Sequence, residues 1–332
     1  MKRVEHAIAM TVFGLSFPGV AFAQGTPPET ERGPGEPVAP IADRRDDDAH
    51  GKEPTPERWR VTLDAVLGFG ATPVVTQRVT GPLLRQESRA LGSSRFATQS
   101  LNLALSYEVV RDLKVYAMLP LGTGGLHADD SRGGSIVGNI SLGAQIGRHI
   151  RKDVELVGAL EVALPTANGD ALPTADELAT SGHIDQSAYD RFSVQKAISA
   201  SRGREDTASY APKHLGLVPK VGAVWTGIDR LELEGFATYS SLHATGTSSS
   251  YEGSFVIGAR GSYHLHKHVD GTLRLWTNIP TAGGDSAIAA AEPQLRGHFG
   301  SVMPIFGVIL PIAGELTDPY AVGVRLAVAG TF

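Results

Sequence analysis

From Arg58 to the end of the chain, apolar and polar side chains alternate with a period of two. The alternation is cleanest in the last stretch. Val322, Val324, Leu326 and Val328 share one face, and Ala321, Gly323, Arg325, Ala327, Ala329 and Thr331 share the other. A two-residue period belongs to a β-strand, in which successive side chains point to opposite sides. The same texture predicts a strand over 59–70, with Val61, Leu63, Ala65, Leu67 and Phe69 together, and a loop over 71–95. Strands follow over 96–108 and 113–121, then a Gly-rich loop over 122–134. In the next pair, Ile136, Ile140, Leu142 and Ile146 oppose Asn139, Ser141 and Gln145. Val154, Leu156, Leu160, Val162 and Leu164 oppose Glu155, Glu161 and Ala163. The longest polar segment, 165–211, contains a predicted short helix over 171–179. Strands over 215–225, 231–240, 254–265, 272–280, 287–295, 302–310 and 321–332 bring the count to about twelve.

Short links near residues 110, 150, 228 and 268 alternate with longer ones near 80, 127, 190 and 246. An even strand number, this rhythm of connections and a final strand ending on Phe332 predict an all-β fold: a transmembrane antiparallel β-barrel of the bacterial outer-membrane type, over 57–332. The alternative for the last stretch alone is an ordinary sandwich strand that ends in Phe. In the barrel reading, Trp59, Tyr107, Trp225, Tyr239, Tyr251, Trp276 and Tyr320 are candidates for interfacial girdles. Trp276 shares parity with Arg274, which points it inward.

Composition narrows the function. The chain has no Cys, which removes disulfides and thiolate metal sites. A net charge of −5 gives no electrostatic case for nucleic-acid binding. No apolar run past the N-terminus is long enough for a membrane-spanning helix, a test that barrel strands escape because they alternate. Met1-Lys2-Arg3, an apolar stretch over 7–22 and Val20-Ala21-Phe22-Ala23 predict a signal peptide, 1–23, cleaved after Ala23. Residues 24–56 are rich in Pro, Gly and charge, and read as a disordered periplasmic tail.

The inward positions carry Glu108, Lys114, Glu155, Glu161, Lys220, Glu232, Glu234, Arg260, Arg274 and Arg325, the pore-lining candidates. Charges there are too costly on a lipid face. Two arrangements remain open. Acidic and basic residues could face one another across a narrow pore, or pair into a network that rigidifies a blocked lumen. Glu232 and Glu234 share a strand face and could hold a cation, or each could find a neighbouring Lys or Arg. His264, His266 and His268 are spaced for metal ligands on one face, but the run enters a turn and reads as solvated. His127 with Asp129 and Asp130, and His183 with Asp185, lack a nucleophile context, so no catalytic residue, metal or cofactor is expected. The 165–211 segment is long enough to fold into the pore or to bind ligands outside, as a display barrel would.

Three motifs recur: Leu119-Pro120-Leu121-Gly122, Gly138-Asn139-Ile140-Ser141-Leu142-Gly143-Ala144-Gln145 and Val162-Ala163-Leu164-Pro165-Thr166-Ala167-Asn168-Gly169. Over roughly 97–332 the chain resembles the outer-membrane channels named for the meta-pathway of phenol degradation. Asn139 stands where that family's pattern has Asp, and Ala167-Asn168 displaces its Gly. In the same chains the terminal Phe and alternate apolar positions, here Phe332, Val328, Leu326, Val324 and Val322, resemble the assembly signal of outer-membrane barrels. The resemblance implies passive uptake of small compounds, hydrophobic or aromatic ones among them, and no catalytic residues. It implies as partners the outer-membrane bilayer, the barrel-assembly machinery and a small-molecule solute. The alternative function is a structural or ligand-displaying barrel with a blocked lumen.

Overall fold

The computed structural model describes residues 59–80, 85–110, 112–127, 132–168, 186–245, 251–281, 287–314, 316–317 and 320–332. The signal sequence, the 24–56 tail, the predicted 171–179 helix and Asp129, Asp130, His183 and Asp185 lie outside them. The strands are β1 (Trp59–Thr80), β2 (Arg85–Val110), β3 (Leu113–His127), β4 (Arg132–Val137), β5 (Ser141–Arg151), β6 (Val154–Ala163), β7 (His214–Ile228), β8 (Leu231–Ala244), β9 (Tyr251–His266), β10 (Val269–Pro280), β11 (Ile288–Gly297), β12 (Val302–Ala313) and β13 (Ala321–Thr331). Among the described residues, an α-helix, α1 (Gln186–Ser201), and a short 3-10 helix, Ala208–Tyr210, lie between β6 and β7.

Successive strands pair antiparallel, except that β4 pairs with β3 and not β5, and β3 also pairs with β5; β13 pairs with β1, and β2 pairs with both β1 and β3, so the sheet closes. Twelve strands complete the barrel wall, and β4 is one extra. The closing register runs from Arg60↔Thr331 to Gly70↔Ala321. It ends in a reciprocal pair: Trp59 donates to the Phe332 carbonyl at 3.2 Å, and Phe332 donates to that of Trp59 at 2.9 Å. Closure satisfies every ladder position that an open edge would leave bare.

The outward face is an apolar belt. Leu105, Val115, Leu142, Leu160, Val221, Ile257, Leu275 and Phe306 are all exposed. So large a continuous apolar surface is untenable in water and is what a barrel presents to lipid. Val322, Val324, Leu326 and Val328 join it, while Ala321, Ala327 and Ala329 are buried inside. At the end with the short turns, Trp59 meets Tyr107 at 4.5 Å, and Tyr263, Phe299 and Phe332 are exposed. Trp225 donates to Asp153 there. Near the other end Tyr239 meets Phe255 at 4.5 Å, and Tyr320 is exposed. Trp276 is buried within the lumen.

The described residues of two expected loops are strands. In the 71–95 stretch, residues 71–80 and 85–95 continue β1 and β2 as paired strands out to Thr80↔Arg85, with a register shift between Pro73 and Val75. Its β-branched residues favour extended backbone, and the shift accommodates a proline that cannot donate to the ladder. Residues 122–127 and 132–134 likewise form the paired ends of β3 and β4.

The faces also depart from the simple alternation: Ile136 is buried inside, whereas Leu142 and Ile146 are exposed outside. The register explains it. Val137 pairs with Leu121 and Ser141 with Met118, so Gly138, Asn139 and Ile140 stand opposite only two residues of β3. One extra residue in a period-two element exchanges its faces. The bulge turns Asn139 into the barrel, where it is fully buried. Its Nδ2 donates to the carbonyls of Ala208 (2.9 Å) and Ala211 (2.6 Å), and its Oδ1 accepts from the Ala167 amide at 2.9 Å. Thr166 Oγ1 accepts from Ile140 N at 2.8 Å, and Asn168 Oδ1 from Val137 N at 2.8 Å. The motif residues thus form one knot that ties β4, β5, the end of β6 and the start of β7.

The two carbonyls at Nδ2 explain why this chain carries Asn at 139. A carboxylate would set negative oxygen against them and leave them unpaired. Asn139→Asp is therefore expected to destabilise the barrel by about 2–4 kcal/mol. The measurement is the temperature at which the folded, fast-migrating form is lost on a heat-modifiability gel. An unchanged midpoint would refute the assigned donor role.

Candidate functional site: a plugged lumen

The described part of the segment between β6 and β7 lies inside the barrel, in the half away from the short turns. In the last turns of α1, Val194, Gln195, Ala197, Ile198, Ala200 and Ser201 are buried, and Lys196 alone is exposed among 193–201. Ile198 and Val194 pack with Ile136 and Tyr210. Ala197 and Ala200 pack with Phe96, Ile288, Leu316 and Ala321. The wall is shaped to receive this segment. A Cβ on Gly323 would collide with the Ser201 carbonyl, so a side chain there is incompatible with the plug.

Below the helix the chain turns sharply. Gly203 has φ +63°, a conformation that costs glycine nothing, and a side chain on it would strike the Trp276 ring. Trp276 Nε1 donates to the Gly203 carbonyl at 2.9 Å, and Asn278 Nδ2 to that of Arg204 at 2.6 Å. The turn is also held by charge. Arg202, 2 % exposed, places Nη1 2.7 Å from Asp64 Oδ2 and donates Nε to Ser100 Oγ at 2.8 Å. Glu205 pairs with the guanidinium of Arg274 and lies 3.6 Å from Arg325 Nη2. Arg325 also meets Asp64 at 3.2 Å and Glu292 at 3.1 Å, and Arg274 meets Glu292 at 3.0 Å. Three guanidinium groups thus balance three carboxylates in a water-poor centre. The Arg274 guanidinium lies between Phe236 and Trp276, 5.9 and 5.5 Å from the ring centroids. Around this centre Val66, Val157, Phe236, Val256, Trp276, Ala290 and Ile309 form an apolar girdle on the inner wall.

The remaining candidate residues pair locally, without facing one another across open space. Glu108 stands opposite Lys114 in the β2–β3 hairpin. Glu155 is 4.0 Å from His149. Glu161, 2 % exposed, lies 2.5 Å from Lys220 Nζ and accepts from Tyr116 Oη at 3.1 Å. Glu232 and Glu234 converge on Arg260 at 2.5 and 3.0 Å, so the chain's own cation occupies the place considered for a bound one. His264, expected as a solvated turn residue, has a carboxylate beside it: Asp270 lies 2.6 Å from His264 Nδ1 and 2.6 Å from His298 Nε2. Among the described residues no group of His, Cys, Asp and Glu is arranged to hold a metal ion.

Sequence reasoning missed Asp64, Arg202, Glu205 and Glu292, which make up most of the centre. Asp64 and Glu292 were within reach, since Asp64 alternates with Leu63 and Leu67, and Glu292 sits between inward Ala290 and Gln294. Arg202 and Glu205 gave no signal, because their placement follows from the path of the plug and from no local period.

Glu205 has a titration consequence. Burial by itself pushes its carboxyl up, but Arg274 and Arg325 beside it outweigh that and hold it down at about 2, from an ordinary 4.5. A lowered folded-state value contributes stability that is complete above pH 4.5 and lost as pH falls from there toward 2. The contribution is on the order of 3 kcal/mol. The stability advantage of the native chain over Glu205→Gln should be full at pH 6 and close between pH 4.5 and 2, read from paired unfolding midpoints. A gap that stays constant over that range would contradict the ion pairing.

No family model matches the chain, and no curated protein matches its sequence. Solved structures do resemble it. A translocator domain of the autotransporter NalP from Neisseria meningitidis gives a TM-score of 0.46 at 11% identity, covering 85% of this chain and 90% of that one. The NanC porin gives 0.45 at 7% identity, covering 81% and 100%. An outer membrane channel from Pseudomonas putida F1 gives 0.55 at 13% identity, covering 86% of this chain and all of the other. At that score and identity it shares the fold: this chain is similar to it as a closed β-barrel of the outer-membrane type.

Proposed function

We propose that the chain is an outer-membrane channel for passive uptake of small solutes, hydrophobic or aromatic ones among them, closed at rest by the β6–β7 plug. Export by the predicted signal peptide, insertion by the barrel-assembly machinery and short turns facing the periplasm belong to this reading. One observation carries it. The wall contributes Asp64, Glu292, Arg274 and Arg325 to the centre, and the plug contributes Arg202 and Glu205. Each set is neutral by itself. If the plug turn withdraws, the wall charges stay linked in the order Asp64–Arg325–Glu292–Arg274. Separation then strands no net charge on the wall, and an orphaned buried charge is the main penalty for breaking such contacts. The apolar girdle beside the turn suits a solute with an apolar body, and the resemblance of the fold to a known outer membrane channel supports the same class.

The alternative is a barrel blocked for good, serving structure or display. The two differ in planar bilayers. Replacing residues 186–206 with a short Gly-Ser linker keeps the partners of Asn139 in place. The channel reading expects small or intermittent conductance steps from the native chain and steps at least several-fold larger from the shortened one. Silence in both refolded forms would overturn the channel and leave the structural role.

A further inference from the structure

Glu205 occupies its site in the manner of a ligand. Its carboxylate sits against the fork of Arg274, with Arg325 on the other side. The backbone at Gly203 lies against the Trp276 ring, and Phe236 flanks the same guanidinium. The wall therefore presents a carboxylate-binding fork, a second cation and two aromatic rings in one place. The plug turn fills them with the Glu205 carboxylate and the backbone at Gly203.

We propose that this is a solute site for small aromatic carboxylates, and that Glu205 is a built-in mimic which such a solute displaces. This rests on the channel reading above and names its solute class. A planar arginine fork matches a carboxylate bidentately, which a spherical anion cannot exploit. The flanking rings favour a flat apolar body by stacking. The charge count also favours exchange. With Glu205 in place three cations meet three anions; if Glu205 alone swings away while Arg202 stays on Asp64, two anions face three cations, and an entering carboxylate restores the balance. The solute would thereby replace the contact that holds the turn, which couples occupation of the site to release of the plug.

The test is equilibrium dialysis of radiolabelled benzoate against the refolded full-length protein in detergent micelles. Glu205→Ala should bind benzoate at least tenfold more tightly than the native chain, because the competing carboxylate is gone. Glu205→Ala combined with Arg274→Ala should lose that gain. Benzyl alcohol, the neutral counterpart, should bind both forms alike, and chloride at equal concentration should not displace benzoate. Equal affinity in native and Glu205→Ala protein, retention of the gain in the double variant, or displacement by chloride would each overturn the proposal. Should Glu205→Ala fail to give a heat-modifiable band, Glu205→Gln carries the same comparison with a gain of about threefold. Binding is measured without conduction. A silent bilayer would sink the channel reading and leave this site standing, and a failed dialysis would do the reverse.

Discussion

Everything in this chain depends on the pairing of β13 with β1. A sheet in contact with hydrocarbon cannot leave an edge, because each unpaired amide or carbonyl there costs several kcal/mol with no water to replace the lost partner. The two strands pair residue for residue over Arg60–Gly70 and Ala321–Thr331. Their facing residues follow from that register. Arg325 lies inside, opposite Val66, and Asp64 is opposite Ala327. The seam that closes the barrel is therefore also where its central charges gather, with Asp64 and Arg325 3.2 Å apart and both nearly inaccessible. A slip of β13 by one residue would send Arg325 to the lipid and Val322, Val324, Leu326 and Val328 to the lumen.

That constraint explains how much the sequence disclosed. Period two is imposed on every spanning strand by lipid on one side and a polar lumen on the other, so fold, strand count and short turns could be read directly. What failed were places where the period is broken or has no lipid to enforce it. The bulge at Gly138–Ile140 adds one residue, and nothing in the run Ile136, Ile140, Leu142 marks where the face changes. The ends of β1 to β4 extend beyond the apolar belt, so their composition looks like loop. Helix α1 escaped for a third reason. A helix surrounded by barrel wall is buried on nearly all sides and has no water-facing stripe to give it an amphipathic signature. The motifs Gly138-Asn139 and Leu164-Pro165-Thr166-Ala167-Asn168 were conspicuous without being interpretable. They are the two halves of one hydrogen-bonded knot, and the distance between them in sequence hid that.

The candidate charges divide along the same line. Positions such as Arg274, Arg325 and Glu161 lie on strands, so parity alone was enough to place them in the lumen. Their partners were another matter. Arg274 answers to Glu205 and Glu292, and Arg325 to Asp64 and Glu292, which follows from shear around the barrel and from the path of the plug. A list of inward charges from single strands contains no shear, so it yields members of a network without its connections.

The plug is attached to the wall in two different ways, and the difference bears on how it could move. The end of α1 is embedded among Phe96, Ile136, Ile288, Leu316 and Ala321, an apolar contact that is lost only by exposing area to water. The turn after it is held through Arg202, Gly203, Arg204 and Glu205 by ion pairs and hydrogen bonds, whose loss polar groups of the wall or an entering solute can make good. Net worth is small for a contact that can be replaced and large for one that cannot. The weak joint is thus the turn and the firm one is the helix. Between them Gly203, at positive φ, and the neighbouring Arg204, at φ +50°, form the bend in the backbone. In the proposed channel, a plug built this way would open by swinging its turn while its helix stays seated, with the opening beside Trp276 and Arg274, where the wall is both aromatic and charged.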